Sequence, residues 1–248
     1  MPYICSNCSQ PHPLFHLSCP DCGAWNSLQN QASRFSRDDS RPVPLPDIVS
    51  SPIPRTKTNI GQLDTLLGGG FVPGSSVLLV GTPGAGKSTL VMQLLKTMHI
   101  PSFYVTGEES LQQLKLRADR LKIKSPGMLL LFETNVNKII SHVDRSRPGV
   151  VVIDSIQSVY SDLSDSIPGG SAQIRRCTYM LRRASQQKGF ILILVGQVTK
   201  GEKAAGPKLL EHAVDVVLTL GVEEGATQSR ILHASKNRFG STAPRCML

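Results

Sequence analysis

Aromatic side chains are scarce in this sequence. Its 248 residues include one Trp, four Tyr and seven Phe, so a binding surface here should rest on charge more than on ring stacking. No run approaches the ~20 apolar residues that cross a bilayer, which argues against a membrane role. The first thirty residues lack a basic start followed by an apolar stretch, so no export signal is visible and a cytoplasmic location is expected. Acidic residues are also in short supply: 18 Asp and Glu stand against 27 Lys and Arg, a formal charge of +9. The first fifty residues are slightly acidic, with three basic and four acidic side chains, so the whole positive excess lies beyond them. A basic body of this kind favours a polyanionic partner, nucleic acid before an anionic membrane. A merely solvated basic surface is an equal alternative on charge alone.

What the chain does have is cysteine in a pattern. Four of its six cysteines form two pairs, Cys5-x2-Cys8 and Cys19-x2-Cys22. Without an export signal this spacing reads as metal binding and not as disulfides. Two tight turns aim four thiolates at one tetrahedral Zn2+ ion, and a closed four-sulfur shell points to structure over catalysis. So short a segment cannot bury enough surface to fold alone, and the metal supplies the difference. A redox dithiol normally opens a helix after a strand, and that context is missing. Trp25 is expected to pack against this zinc knuckle, residues 1–28. Residues 29–54, with Pro42, Pro44, Pro46, Pro52 and Pro54, read as a linker.

From residue 55 to 248 short apolar runs alternate with amphipathic stretches, the pattern of an α/β domain with a mostly parallel sheet flanked by helices. Runs 77–80, 102–106, 127–132, 149–154 and 190–195 are nearly continuous in apolar residues, as strands buried on both faces are. Runs 214–220 and 229–235 read as an antiparallel hairpin, and helices are predicted at 87–98, 109–122 and 172–187.

Gly81, Thr82, Pro83, Gly84, Ala85, Gly86, Lys87 and Ser88 fit the phosphate-binding loop pattern GxxxxGK[ST], after a strand and opening a helix with Thr89 next. Backbone amides curl round the phosphates of ATP, and the helix N-terminus adds partial positive charge. Lys87 reaches the β- and γ-phosphates and the Ser88 hydroxyl binds Mg2+. Asp154 ends an apolar strand where a carboxylate holds that ion, although such a residue can also cap the following turn. Glu108 and Glu109 follow another strand end, where a carboxylate can orient the attacking water. Either could instead cap the next helix, and the residues alone leave the pair open.

Taken together, CSNC and CPDCGAWNS, GQLDTLLGGGFVPGS, VTGEES, VVVIDSIQ, GQVTKGEKAAGPKLLEH and KNRFGST resemble the bacterial RadA (Sms) family over residues 3 to about 242. The resemblance implies a RecA-like P-loop NTPase core and a DNA-dependent ATPase that processes recombination intermediates by branch migration. It implies single-stranded or branched DNA and a RecA-type recombinase as partners, within a homo-hexamer. It selects Glu109 as the catalytic carboxylate. It places Lys236 and Arg238 at a subunit boundary, near a neighbour's nucleotide. DNA contacts are expected from loop 161–176, ending in Arg175 and Arg176, and from loop 199–208, with Lys200, Lys203 and Lys208. Lys115, Arg117 and Arg120 are taken as a solvated helix face. Gln197 stands where the family has His, in a position that suits a sensor of ATP state. Family members continue into a final strand and a Lon-protease-like domain. This chain ends in APRCML, with Cys246 on a tail, and is read as a truncated form whose hexamer is in doubt. A RecA-like ATPase acting on a protein, or a nucleotide- and zinc-binding form without motor activity, are the alternatives.

Overall fold

The computed structural model describes residues 3–8, 10–12, 18–25, 27–30, 44–47, 54–197, 208–222 and 230–247. They belong to two compact units, Met1–Pro52 and Ile53–Leu248. The smaller unit holds three short antiparallel strands, β1 (Tyr3–Cys5), β2 (Pro11–His12) and β3 (Leu28–Asn30), in the order β2-β1-β3. Among the described residues its buried apolar cluster is Cys5, Cys19 and Leu28, with Cys8 against them. A cluster of that size cannot by itself offset the chain entropy of ordering the strands around it. Trp25 is 74% exposed, so it does not pack as expected.

The larger unit starts with helix α1 (Gly61–Leu66) and six parallel strands: β4 (Ser76–Gly81), β5 (Ser102–Thr106), β6 (Met128–Phe132), β7 (Val150–Asp154), β8 (Ile191–Gln197) and β9 (Val216–Val222). Strands β10 (Arg230–Asn237) and β11 (Arg245–Met247) add antiparallel ribs, giving the order β11-β10-β9-β4-β8-β7-β5-β6. Helices α2 (Lys87–Met98), α3 (Leu111–Arg120), α4 (Val136–Ser146), α5 (Ser171–Lys188) and the short α6 (Lys208–Glu211) complete it.

The continuous apolar strands are explained by the two cores they feed. Val77, Leu79, Tyr104, Val152 and Ile193 pack with α1, α2 and Leu114 of α3 on one face. Their neighbours Leu78, Val80, Phe103, Val151 and Leu192 pack with α4 and α5 on the other. Successive side chains point to opposite faces, so a strand between two helix layers must be apolar at every position.

The predicted hairpin strands pair as β9 and β10; residues 223–229 between them lie outside the described residues. Helix α4 was not predicted, though Asn135 caps it through Asn137 N and Lys138 N and it buries Val136, Ile139 and Val143. Cys246 is not on a tail: it is fully buried in β11, paired with Leu232 of β10. Cys177 is buried too, and burial pushes its thiol up to about 11. Among the described residues no helix is long and apolar enough to cross a membrane.

One buried carboxylate ties the start of β4 to the end of β10. Asp215 Oδ2 accepts from Ser76 N at 3.0 Å and Ser76 Oγ at 2.6 Å, while Oδ1 accepts from Arg238 at 3.1 Å and faces Arg182 at 3.6 Å. Replacing Asp215 by Ala strands a buried backbone N–H and two cations. A loss of about 3 kcal/mol is expected, read as a lower urea midpoint; a change under about 0.5 kcal/mol would contradict it.

Candidate functional site

The parallel register brings the chemistry to one edge of the sheet. Gly81 pairs with Gln197, Asp154 with Val195, and Thr106 with Asp154, so the carboxyl ends of β4, β8, β7 and β5 lie side by side. Ligands of open parallel sheets bind at this edge.

Between β4 and α2 the loop turns on Gly84 (φ 78°) and Gly86 (φ 95°), a conformation that costs other residues energy. Gly86 is the residue preceding α2, so the first amides of a twelve-residue helix open toward the loop. Lys87 is buried, and its Nζ donates to the carbonyls of Gly81 at 2.8 Å and Thr82 at 2.9 Å. An ammonium has three donors, which leaves one for a phosphate oxygen. Burial lowers the pKa of Lys87, opposed by the carboxylates of Asp154 and Glu108.

Pro83, Gly84, Gly86, Lys87, Ser88, Thr89, Glu109, Asp154 and Gln197 line one cleft of about 350 Å³. Gly81 and Thr82 support it through their bonds to Lys87, and Ala85 is buried beneath the loop. The Asp154 side chain turns to Tyr104, whose hydroxyl donates to Oδ2, and the turn that follows has no side-chain cap. The Tyr104 pKa is raised by burial first and by Asp154 second. Tyr104 therefore steadies one of the expected magnesium ligands, Asp154, from the neighbouring strand. The sequence showed it only as one apolar member of a strand.

Neither glutamate caps α3. Ser110 does, in a capping box with Gln113: Ser110 Oγ accepts from Gln113 N, and Gln113 Oε1 accepts from Ser110 N. Both glutamates are thereby left at the cleft lip. Ser155 Oγ donates to Glu108. Arg117 donates to Glu109 Oε1 at 2.6 Å, and Thr106 Oγ1 bonds both the N–H and the carbonyl of Glu109 at 3.1 Å.

The basic face of α3 is only partly the solvated surface expected. Lys115 is exposed and pairs with Asp119, whereas Arg117 and Arg120 line the cleft. Arg230 was also missed; its guanidinium occupies the space that a Cβ on Gly86 would need.

Lys236 and Arg238 lie elsewhere. Lys236 Nζ donates to the carbonyls of Glu211 at 2.6 Å and Val214 at 2.8 Å, and Arg238 pairs with Asp215. Since β10 runs antiparallel, its end lies beside the start of β9, roughly 17 Å from the loop edge at ~3.3 Å per residue. In loop 161–176, buried Gln173 holds Ser161, Ser164 and Ser166 through four hydrogen bonds, two of them to Ser161 O and N. Arg175 and Arg176 are exposed on the first turns of α5. Loop 199–207, with Lys200 and Lys203, lies outside the described residues, as does the side chain of Lys208.

In the small unit, Cys5, Cys8, Cys19 and Cys22 place their sulfurs within 4.8 Å of one another. Cys5–Cys22 is 3.6 Å and Cys8–Cys19 is 3.7 Å. A tetrahedron with metal–sulfur bonds of ~2.3 Å has edges of about 3.8 Å, so the four sulfurs fit one such ion. A hydrogen bond with Ser27 leads in lowering the Cys5 thiol to about 6, whereas burial and the neighbouring thiols push Cys8 up to about 12, the mutual repulsion that a cation among the four would relieve. His12 Nε2 sits 3.4 Å from Cys19 Sγ and 3.2 Å from Asp21, an outer-shell arrangement of the kind that steadies a metal ligand.

The fold and loop define a nucleotide-binding ATPase domain, and comparison with known proteins agrees. The family model described as "AAA domain" matches residues 39–203. A solved ATPase domain superposes with a TM-score of 0.65 at 16% identity, over 79% of this chain and 88% of that one; at that identity the likeness speaks for fold alone. The chain is 43% identical to the DNA repair protein RadA of Bacillus subtilis over 97% of its length, and 39% identical to that of Pseudomonas aeruginosa over 96%. It spans about half the length of these relatives, 56% and 55% respectively. The chain belongs to the AAA-domain family, and it is similar to the RadA proteins along nearly its whole length.

Proposed function

We propose that this chain is the ATPase portion of a DNA-dependent motor that works on recombination intermediates in DNA repair. The observation that carries the proposal is the convergence of Lys87, Ser88, Asp154 and Glu109 on one cleft at the carboxyl edge of the sheet. The loop amides and Lys87 hold the phosphates of ATP. Ser88 and Asp154, the latter held by the Tyr104 hydroxyl, hold Mg2+, which when bound neutralises charge on the transferred phosphoryl group. Glu109 orients the attacking water, and Gln197 at the end of β8 senses the state of the nucleotide. Glu109 Oε2 is buried with no hydrogen-bond partner among the described residues, so it has acceptor capacity for a water proton.

Lys236 and Arg238 are too far from the cleft of their own chain to touch its nucleotide. That distance supports a role toward a neighbouring subunit in a hexameric ring. Basic, aromatic-poor surface supports DNA held by its phosphates, with exposed Arg175 and Arg176 as contacts. The relatives are named as DNA repair proteins, which supports branched or single-stranded DNA as substrate and a RecA-type recombinase as partner. Zn2+ is the ion that suits four thiolates in a closed structural shell.

The test is ATP turnover by the full chain with and without single-stranded DNA at 50 and 200 mM salt. Stimulation at low salt that falls at least about tenfold in apparent DNA affinity at high salt is expected. Turnover indifferent to DNA at both salts would sink the DNA reading.

A further inference from the structure

Arg117 and Lys115 sit two residues apart on α3 and meet different surroundings. The Lys115 side chain is 67% exposed, whereas that of Arg117 is 21% exposed and lies in the cleft wall. Its contact with Glu109 is single-pointed. Arg117 Nη2 donates to Oε1, while Nη1 and Glu109 Oε2 are both buried without a partner among the described residues. A guanidinium and a carboxylate fit each other best as a two-bond fork. Here one bond is made, and each group keeps a second, buried polar atom free of the other. The bond to Glu109 leads in raising the Arg117 pKa, burial opposes it, and the Asp154 carboxylate adds a smaller pull in the raising direction. The backbone of Glu109 is fixed independently by Thr106. A long side chain anchored at both ends in this way loses little further freedom when it acts.

We propose that Arg117 is a positioning residue for hydrolysis: by gripping one oxygen of Glu109 it presents the other to the attacking water. This rests on the ATPase reading above. In the step it serves, the water oxygen forms a bond to the γ-phosphorus and its proton passes to Glu109 Oε2. The bond from the γ-phosphorus to the β–γ bridging oxygen breaks, and its electron pair leaves with ADP.

The experiment compares kcat and KM for MgATP in the full chain and in R117M, R117K, E109Q and the double variant R117M/E109Q. Affinity for a non-hydrolysable ATP analogue is measured alongside. In R117M, kcat should fall about 100-fold, at the low end of the range of acid–base contributions, with KM and analogue affinity within about threefold of the parent. R117K, which keeps the charge and a donor for the single bond to Oε1 but not the planar guanidinium, should recover part of the loss. The double variant should be no slower than E109Q within about threefold, because two residues acting as one unit are not additive.

A rise in KM with kcat unchanged would overturn the proposal and make Arg117 a phosphate ligand. Losses that multiply in the double variant would also overturn it. A parent chain that binds and turns over no ATP defeats the ATPase reading itself, a result that wild-type turnover separates from both of these. If R117M fails to fold, R117K decides: full parental kcat with raised KM rejects positioning, and a kcat loss at constant KM upholds it.

Discussion

Replacing Lys87 by Ala should abolish ATP turnover while leaving the chain folded. Its ammonium is the one lysine charge lining the cleft among the described residues, and the carbonyls of Gly81 and Thr82 hold it at the mouth of the loop. A preorganised charge of this kind, aimed at developing phosphoryl charge, contributes at least about 100-fold to kcat. The same burial that focuses the charge works against stability. Taking an ammonium out of water is unfavourable, and the lowered Lys87 pKa shows this penalty exceeding the help of Asp154 and Glu108. Lys87→Ala is therefore expected to melt within a few degrees of the parent, or slightly above it, while its hydrolysis falls to background. Retained turnover would place the chemistry elsewhere; an unfolded variant would show the lysine to be a structural strut.

Stripping the metal from the small unit should unfold that unit and spare the other. Among the described residues its apolar core is Cys5, Cys19 and Leu28 with Cys8 alongside. The four sulfurs, 3.6–3.7 Å apart in the two close pairs, repel one another once ionised unless a cation sits between them. A structural zinc ion supplies on the order of 10 kcal/mol or more at neutral pH, far above what such a core can contribute. One zinc per chain is expected on metal analysis. Chelation, or Cys19→Ser, should then erase amide-exchange protection at Cys5 and Cys19 without moving the melting transition of residues 53–248. Protection that survives complete metal removal would contradict this.

Much of the larger unit was legible because each buried strand is a solid apolar block, and the phosphate loop because glycine spacing, lysine and following helix are all local. Helix α4 was legible in principle: Val136, Ile139, Ile140 and Val143 repeat at helical spacing behind the cap Asn135. The residues that complete the site were not, since their partners are distant in sequence. Arg117 looks like its exposed neighbour Lys115 until the fold turns it toward Glu109. Tyr104 reads as one more strand residue until β5 and β7 pair and bring it to Asp154. Asp215 meets Ser76 across 139 residues. His12 gains a purpose only when the turn bearing Cys19 and Asp21 folds beside it. Short, ambiguous segments failed for a related reason: Arg245–Met247 forms a strand because β10 offers an open edge, and nothing in those three residues announces it.

Equilibrium titration of the full chain with ATP, with magnesium and with magnesium chelated, tests directly whether the loop at 81–88 and the carboxylate of Asp154 together hold MgATP. One saturable site per chain is predicted, weakened at least about tenfold by chelation and, in the presence of magnesium, by Asp154→Asn, a loss of about 1.4 kcal/mol. Absence of saturable ATP uptake by the folded protein in the presence of magnesium would contradict it.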